Sequence, residues 1–121
     1  MKTVRFLNMK EQTLMSKPVE RGWGTYTVLE ETEGYKLKEM TVFPNRCLSY
    51  QKHELRSEIW FVKEGYGKLI LNDAVLDLTK FSSHHIMDGE WHQLVNGSKN
   101  NLVILEIQYG INCDEEDIIR Q

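Results

Sequence analysis

Cysteine is nearly absent: Cys47 and Cys113 are the two thiols in 121 residues. Two are too few to staple a small secreted domain, so free thiols in a reducing compartment are expected. No run of about 20 apolar residues occurs, which leaves no candidate for a transmembrane helix. Met1 to Lys17 alternates polar and apolar side chains without the apolar stretch of a signal peptide, so a cytoplasmic protein is expected. A basic excess is missing as well. Fifteen Lys and Arg against eighteen Asp and Glu leave a net charge of -3, too little positive charge to hold a phosphate backbone. Neither nucleic acid nor membrane is an expected partner. No P-loop and no G-x-G-x-x-G occurs, so the chain offers no glycine-rich cradle for nucleotide phosphates.

What is present reads as one globular domain. Apolar residues at 40% and charged residues at 27% exclude a disordered chain, and the length suits a single domain. Short runs rich in β-branched and aromatic residues dominate: Thr25 to Leu29, Tyr35 to Phe43, Cys47 to His53, Glu58 to Lys63, Gly67 to Asn72, Val75 to Leu78, His84 to Met87, His92 to Val95 and Leu102 to Tyr109. Gly34, Pro44-Asn45, Gly65, Asn72-Asp73, Asp88-Gly89 and Asn96-Gly97 punctuate them. Strands every 8 to 12 residues, without sustained helical periodicity, predict an all-β antiparallel sandwich or barrel. Asp114 to Arg120 reads as one helical turn. Residues 1–20, with apolar Val4, Phe6 and Leu7, read as an N-terminal arm or edge strand ahead of a domain spanning 21–121.

Chemistry concentrates in the middle of the chain. Residues two apart on a strand share a face, so Gln51 and His53 point together, as do Cys47 and Ser49 if the strand is regular. Glu58 opens the next strand, and a hairpin would set it opposite Gln51 and His53 at roughly 5 Å. His92 follows the Asp88-Gly89 turn, and Asn96 comes four residues later. Imidazoles, a carboxylate and an amide oxygen converging inside a barrel make a divalent-metal site. Imidazole suits Zn, Fe, Ni or Co, and the oxygen donors admit Mn.

The spacing resembles the two motifs of the cupin superfamily, G-x5-H-x-H-x(3,4)-E-x6-G and G-x5-P-x-G-x2-H-x3-N. Here they read Asn45-x5-Gln51-x-His53-x4-Glu58-x6-Gly65 and Phe81-x5-Met87-x-Gly89-x2-His92-x3-Asn96. Two glycines, a proline and one histidine are replaced, while the spacings are kept. A narrower resemblance is to the cupin domain of type II phosphomannose isomerases, which is usually fused behind a mannose-1-phosphate guanylyltransferase. That domain carries Q-x-H-…-R-x-E-x-W, found here as Gln51, His53, Arg56, Glu58 and Trp60. Further matches are Trp23-Gly24, Tyr35-Lys36-Leu37-Lys38, Glu106-Ile107-Gln108-Tyr109-Gly110 and Glu116-Asp117-Ile118-Ile119-Arg120. Glu54 and Leu55 depart from the extra histidines common in that family.

The resemblance implies a small cupin-type jelly-roll barrel, paired as a homodimer, with a divalent metal ion held by Gln51, His53, Glu58 and His92. It implies an aldose–ketose isomerase for a sugar phosphate, mannose 6-phosphate to fructose 6-phosphate, serving polysaccharide precursor supply. Such a reaction needs a Lewis acid, a base to move a proton between C2 and C1, and cations for the phosphate. Glu106, in the apolar run Leu102 to Ile107, is the candidate base, with Lys36 beside it as a catalytic candidate and His84 or His85 as rivals. Arg21, Lys38, Arg56 and Arg120 are the candidate phosphate-binding residues. Trp23, Trp60 and Trp91 are candidates for core or sugar stacking, and Cys47 reads as a small buried filler. The alternative is a non-catalytic sugar-phosphate- or partner-binding cupin working with a separate guanylyltransferase. Without the glycine-rich segment, the chain alone is not expected to transfer a nucleotidyl group.

Overall fold

Tyr35–Val42 alternates buried and half-buried residues along its whole length, the pattern of a strand with one face on an interior. It is one of twelve strands in a computed structural model that describes residues 17–121. In chain order these are β1 (Val19–Arg21), β2 (Gly24–Thr32), β3 (Tyr35–Val42), β4 (Arg46–Cys47), β5 (Gln51–Lys52), β6 (Arg56–Glu64), β7 (Gly67–Leu71), β8 (Ala74–Leu78), β9 (Ser83–Ile86), β10 (His92–Asn96), β11 (Leu102–Gly110) and β12 (Ile119–Arg120). One sheet runs β1-β2-β3-β11-β6-β9 and the other β12-β5-β10-β7-β8, with β4 also on β10. Every pairing is antiparallel, and no helix occurs among the described residues. The all-β jelly-roll expectation is met. Val4, Phe6 and Leu7 lie outside the described residues.

Register sorts the interior by chemistry. Across β3, β11 and β6, Met40 faces Ile104 and Ile104 faces Val62. The next inward row is Lys38, Glu106 and Trp60, and the one after is Lys36, Gln108 and Glu58. All nine are buried. One end of the barrel is therefore an apolar core, completed by Val42, Leu69, Leu78, Ile86, Leu94 and Leu102, and the other end is polar. Removing the apolar end from water stabilises the fold at roughly 25 cal/mol per Å² buried. That leaves the polar end free to carry buried charge, provided each charge finds a partner.

Two local features depart from the sequence reading. Gln51 pairs with His92 and Cys47 with Val95, so four steps on one strand match three on β10. The extra residue is a bulge, and it reverses the side-chain alternation. Gln51 consequently shares the inward face of His92, while Cys47 points outward and is exposed, not a buried filler. Cys47 and Gln51 do not share a face. Asp114 to Arg120 forms no helical turn of its own. Asp117 N donates to Asp114 O at 3.1 Å to close a tight turn, and the chain then pairs as β12 with β5.

The two substituted motif glycines keep a glycine-like backbone. Asn45 and Phe81 both sit in the left-handed region, at φ 57° and 69°. Asparagine tolerates this conformation, whereas a bulky aromatic there is strained. Gly65, by contrast, admits no side chain: at φ +87°, a Cβ would lie 2.4 Å from Asn101 O.

Candidate metal centre

His53, Glu58 and His92 converge at the polar end with their ligand atoms all within 4.8 Å of one another. The convergence is not the hairpin that spacing suggests. Gln51 and His92 belong to one sheet and Glu58 to the other, and the chain crosses between sheets at His53 to Leu55. The donors therefore meet across the barrel interior. Asp117 pins the crossing: its carboxylate accepts from the Glu54 and Leu55 amides at 3.2 and 2.9 Å. Its carbonyl accepts from His53 Nδ1 at 2.6 Å.

Both imidazoles are oriented in the same way. His53 Nδ1 donates to Asp117 O, and His92 Nδ1 donates to Glu90 O at 3.0 Å. Each ring thus presents the lone pair of Nε2 to Glu58, at 3.3 Å from Oε2 for His53 and 3.6 Å from Oε1 for His92. Backbone carbonyls commonly orient metal-ligating histidines in this manner. Two donors about 2.1 Å from a shared tetrahedral centre stand about 3.4 Å apart, so the spacing fits one cation. His92 Nε2 is buried without any hydrogen-bond partner, the orphaned atom that a metal would satisfy. Burial, reinforced for His53 by the Arg56 charge, keeps both rings neutral: His53 falls to about 4, and His92 is lowered too. The neutral ring is the form that binds a cation. Gln51 lies opposite His92 in register and lines the adjoining cavity, with its Oε1 accepting from Ser49 Oγ at 3.2 Å.

Arg56 completes the cluster. Its Nε donates to Glu58 Oε2 at 3.0 Å, its Nη2 to His53 Nε2 at 3.0 Å and its Nη1 to Asp114 O at 3.2 Å. The guanidinium thereby neutralises the buried Glu58 carboxylate, which is 1% exposed.

A cavity of about 150 Å³ opens beside these donors. Gln51, His53, Arg56, Trp60 and Glu106 line it, with Arg21, Lys38 and Arg120 among its cations. Glu58 and His92, each 1% exposed, do not line it. Glu106 accepts from Trp60 Nε1 at 3.0 Å through Oε2 and from Gln108 Nε2 at 2.5 Å through Oε1. Burial, then the nearby Glu58 charge, raises its carboxyl to about 6, with Lys38 and Arg56 working the other way. The Trp60 N–H is shared, because it also donates to Glu58 Oε1 at 3.1 Å.

Lys36 is placed elsewhere. Its ammonium donates to Cys113 O and pairs with Glu31 and Glu115, on the side of a larger groove of about 430 Å³ that contains none of the metal donors. His84 bonds Ser82 Oγ and His85 bonds the Tyr109 hydroxyl, so neither faces the cavity. Asn96 is a structural residue; its amide donates to the carbonyls of Val42, Phe43 and Asn100. Trp60 is core, Trp23 packs against the core and lines the cavity, and Trp91 stacks on Tyr50. Sequence reasoning missed Tyr26, Asp117 and Glu115. The signal for Glu115 and Asp117 was the acidic run after Cys113, which reads as a solvated turn until the tertiary structure lays it over the barrel mouth.

The double-sheet barrel with a His–Glu–His cluster at one end is a cupin domain. A match over residues 8–121 to the family described as "Mannose-6-phosphate isomerase C-terminal" completes the assignment: the chain belongs to that family. It is 34% identical over 111 residues to the xanthan biosynthesis protein XanB of Xanthomonas campestris pv. campestris (strain B100), covering 92% of this chain and 24% of that protein. It is 35% identical over 106 residues to the mannose-1-phosphate guanylyltransferase ManC of Salmonella typhimurium, covering 88% of this chain and 22% of the relative. The chain thus spans about a quarter of the length of these relatives. A cupin-2 domain from Rhodospirillum rubrum shares the fold with a TM-score of 0.76 at 16% identity, over 99% of this chain and 81% of that one.

Proposed function

We propose that the chain is a metal-dependent aldose–ketose isomerase domain that interconverts mannose 6-phosphate and fructose 6-phosphate for polysaccharide precursor supply. One observation carries the reading. Glu106, with its carboxyl at about 6, shares a cavity with His53 of the donor cluster and with four cationic side chains. The family description and the relatives' names, a xanthan biosynthesis protein and a mannose-1-phosphate guanylyltransferase, point the same way.

A divalent cation held by His53, Glu58 and His92, with Gln51 as fourth donor, would supply Lewis acidity to the sugar's carbonyl and hydroxyl oxygens. In this reading Glu106 takes the proton from C2 of the aldose and returns it to C1. A carboxyl near 6 both accepts and releases a proton close to neutral pH. The Trp60 N–H fixes the direction in which the Glu106 carboxylate points. Lys38, directly opposite Glu106 in register, favours its ionised form between transfers. Arg21, Lys38, Arg56 and Arg120 hold the phosphate, where charge-assisted hydrogen bonds are strongest. Lys36 takes no part in the proton transfer.

The test is metal analysis of the purified protein together with a coupled mannose-6-phosphate assay. The expected result is a bound divalent metal and turnover, with both lost in His92→Ala. Metal without turnover in the wild-type protein overturns the isomerase and leaves a non-catalytic sugar-phosphate- or partner-binding domain that works with a separate guanylyltransferase. One feature favours that second reading: Arg56 already caps His53 Nε2 and neutralises Glu58, so most of the donor set is satisfied without a cation.

A further inference from the structure

Two lysines are buried at the polar end, and a single carboxylate joins them. Lys38 Nζ lies 2.8 Å and Lys36 Nζ 3.2 Å from Glu115 Oε1. The partners differ in their freedom. The lysine side chains are 6% and 8% exposed, whereas that of Glu115 is 45% exposed. Lys36 and Lys38 are fixed on β3 in the middle of a sheet, and the Lys38 ammonium also rests 4.1 Å over the Tyr26 ring. Glu115 stands on the tight turn before β12 and has open solvent beside it. The lysines cannot leave; the carboxylate can, by rotating its side chain while Asp117 keeps the turn anchored on the Glu54 and Leu55 amides.

The position that Glu115 fills belongs to the cavity. Glu115 and Lys38 both line it, alongside Arg21, Arg56 and Arg120. Among the described residues, Lys38 Nζ has no other hydrogen-bond partner. We propose that Glu115 is a built-in anion standing in the phosphate position of this cavity, and that the phosphate group of a ligand displaces it onto solvent and takes over Lys38. The inference rests on the reading that the ligand is a sugar phosphate. A carboxylate offers two oxygens and one negative charge. A phosphate dianion offers three oxygens and nearly two charges, so it satisfies Lys38 and an arginine at once. Glu115 then serves two ends. It partners the lysines when the cavity is empty, since unpaired buried ammonium groups are costly. It also sets a threshold that a neutral sugar cannot cross, and so selects phosphorylated ligands.

The experiment is isothermal titration of inorganic phosphate into the whole chain, in the presence of a chelator so that no metal reports on the anion. Glu115→Gln keeps the shape and removes the competing charge, so phosphate should bind about fivefold more tightly than to the wild type. Lys38→Gln should weaken phosphate at least about tenfold. Unchanged or weaker phosphate binding in Glu115→Gln overturns the proposal, as does phosphate binding that is indifferent to Lys38→Gln. If Glu115→Gln fails to fold, the wild type decides by carbon-detected NMR. Phosphate should move the Glu115 side-chain carboxyl resonance toward that of a solvated glutamate, and an unmoved resonance under saturating phosphate refutes displacement. Turnover is measured separately. Tighter phosphate binding in Glu115→Gln without isomerase activity in the wild type keeps this inference and removes the isomerase reading. Turnover in the wild type, with no gain in phosphate affinity in the variant, does the reverse.

Discussion

Replacing Glu106 by glutamine should stabilise the protein at neutral pH and remove the base of the proposed isomerisation, and the first effect has a definite pH signature. The Glu106 carboxyl is held at about 6 against an ordinary value of 4.5, chiefly because burial disfavours the ionised form. Between these two values the folded protein binds more protons at this site than the unfolded chain does. Stability from this group is therefore complete below about pH 4.5 and is lost as pH rises through 6. The loss is about 2 kcal/mol, since each pH unit of displacement corresponds to about 1.36 kcal/mol. Solvent screening reduces it little, because Glu106 is 4% exposed. Glutamine cannot ionise, and it fits the network. Its oxygen accepts from Trp60 Nε1, and once the Gln108 carboxamide turns over its amide donates to Gln108 Oε1, replacing the bond that Gln108 Nε2 donates to Glu106 Oε1. Urea unfolding of the chelator-treated wild type and Glu106→Gln, from about pH 4.5 to 7.5, isolates the site, because the other carboxylates are common to both and cancel. The variant should match the wild type at the acid end and exceed it by about 2 kcal/mol above pH 7. Parallel curves, or a gain confined to low pH, refute the buried-carboxylate account. In the mannose-6-phosphate assay the same variant should lose on the order of 10²–10⁴ in turnover.

Further outcomes are expected. His53→Ala should lower divalent-metal affinity at least about a hundredfold by calorimetry, and Asp117→Ala, which leaves the ligands in place but loosens the crossing at His53, about tenfold. Phe81→Gly should raise the unfolding free energy by about 0.5–1 kcal/mol in urea melts: relief of the left-handed strain at φ 69° exceeds the lost stacking on Phe61, since Phe81 is 66% exposed. Gly65→Ala should destabilise by several kcal/mol or prevent folding, because its Cβ would meet Asn101 O at 2.4 Å. With a thiol-specific dye at mild alkaline pH, Cys47 should react before Cys113, which is partly covered and whose thiol burial pushes up.

Which features were legible in the sequence follows from how local their causes are. Tyr35–Val42 reads as a strand from its own residues, and Lys36 and Lys38 share a face as strand periodicity requires; that this face is the buried one was not legible, because Tyr35 and Leu37 on the opposite face are the more apolar pair there. The spacing of His53, Glu58 and His92 likewise pointed to one cluster, and the three donors do converge. The turns at Asn45 and Gly65 lie where their residue types place them. How the donors meet was not legible. A hairpin and an inter-sheet crossing leave the same five-residue interval between His53 and Glu58, and only the pairing of β5 with β10 and of β6 with β11 decides between them.

The chain by itself determined the class of fold and the residues able to bind a cation, because strand periodicity and side-chain chemistry are properties of short segments. The tertiary structure alone decided the rest. A single extra residue between Cys47 and Gln51 chose which of them faces the interior. The acidic segment after Cys113 is held against the barrel because two lysines on β3 and two amides at Glu54 and Leu55, some 60 to 80 positions away in sequence, offered its carboxylates partners. No local pattern encodes such a partnership, since its energy exists only once the barrel has closed and the lysines have lost their water.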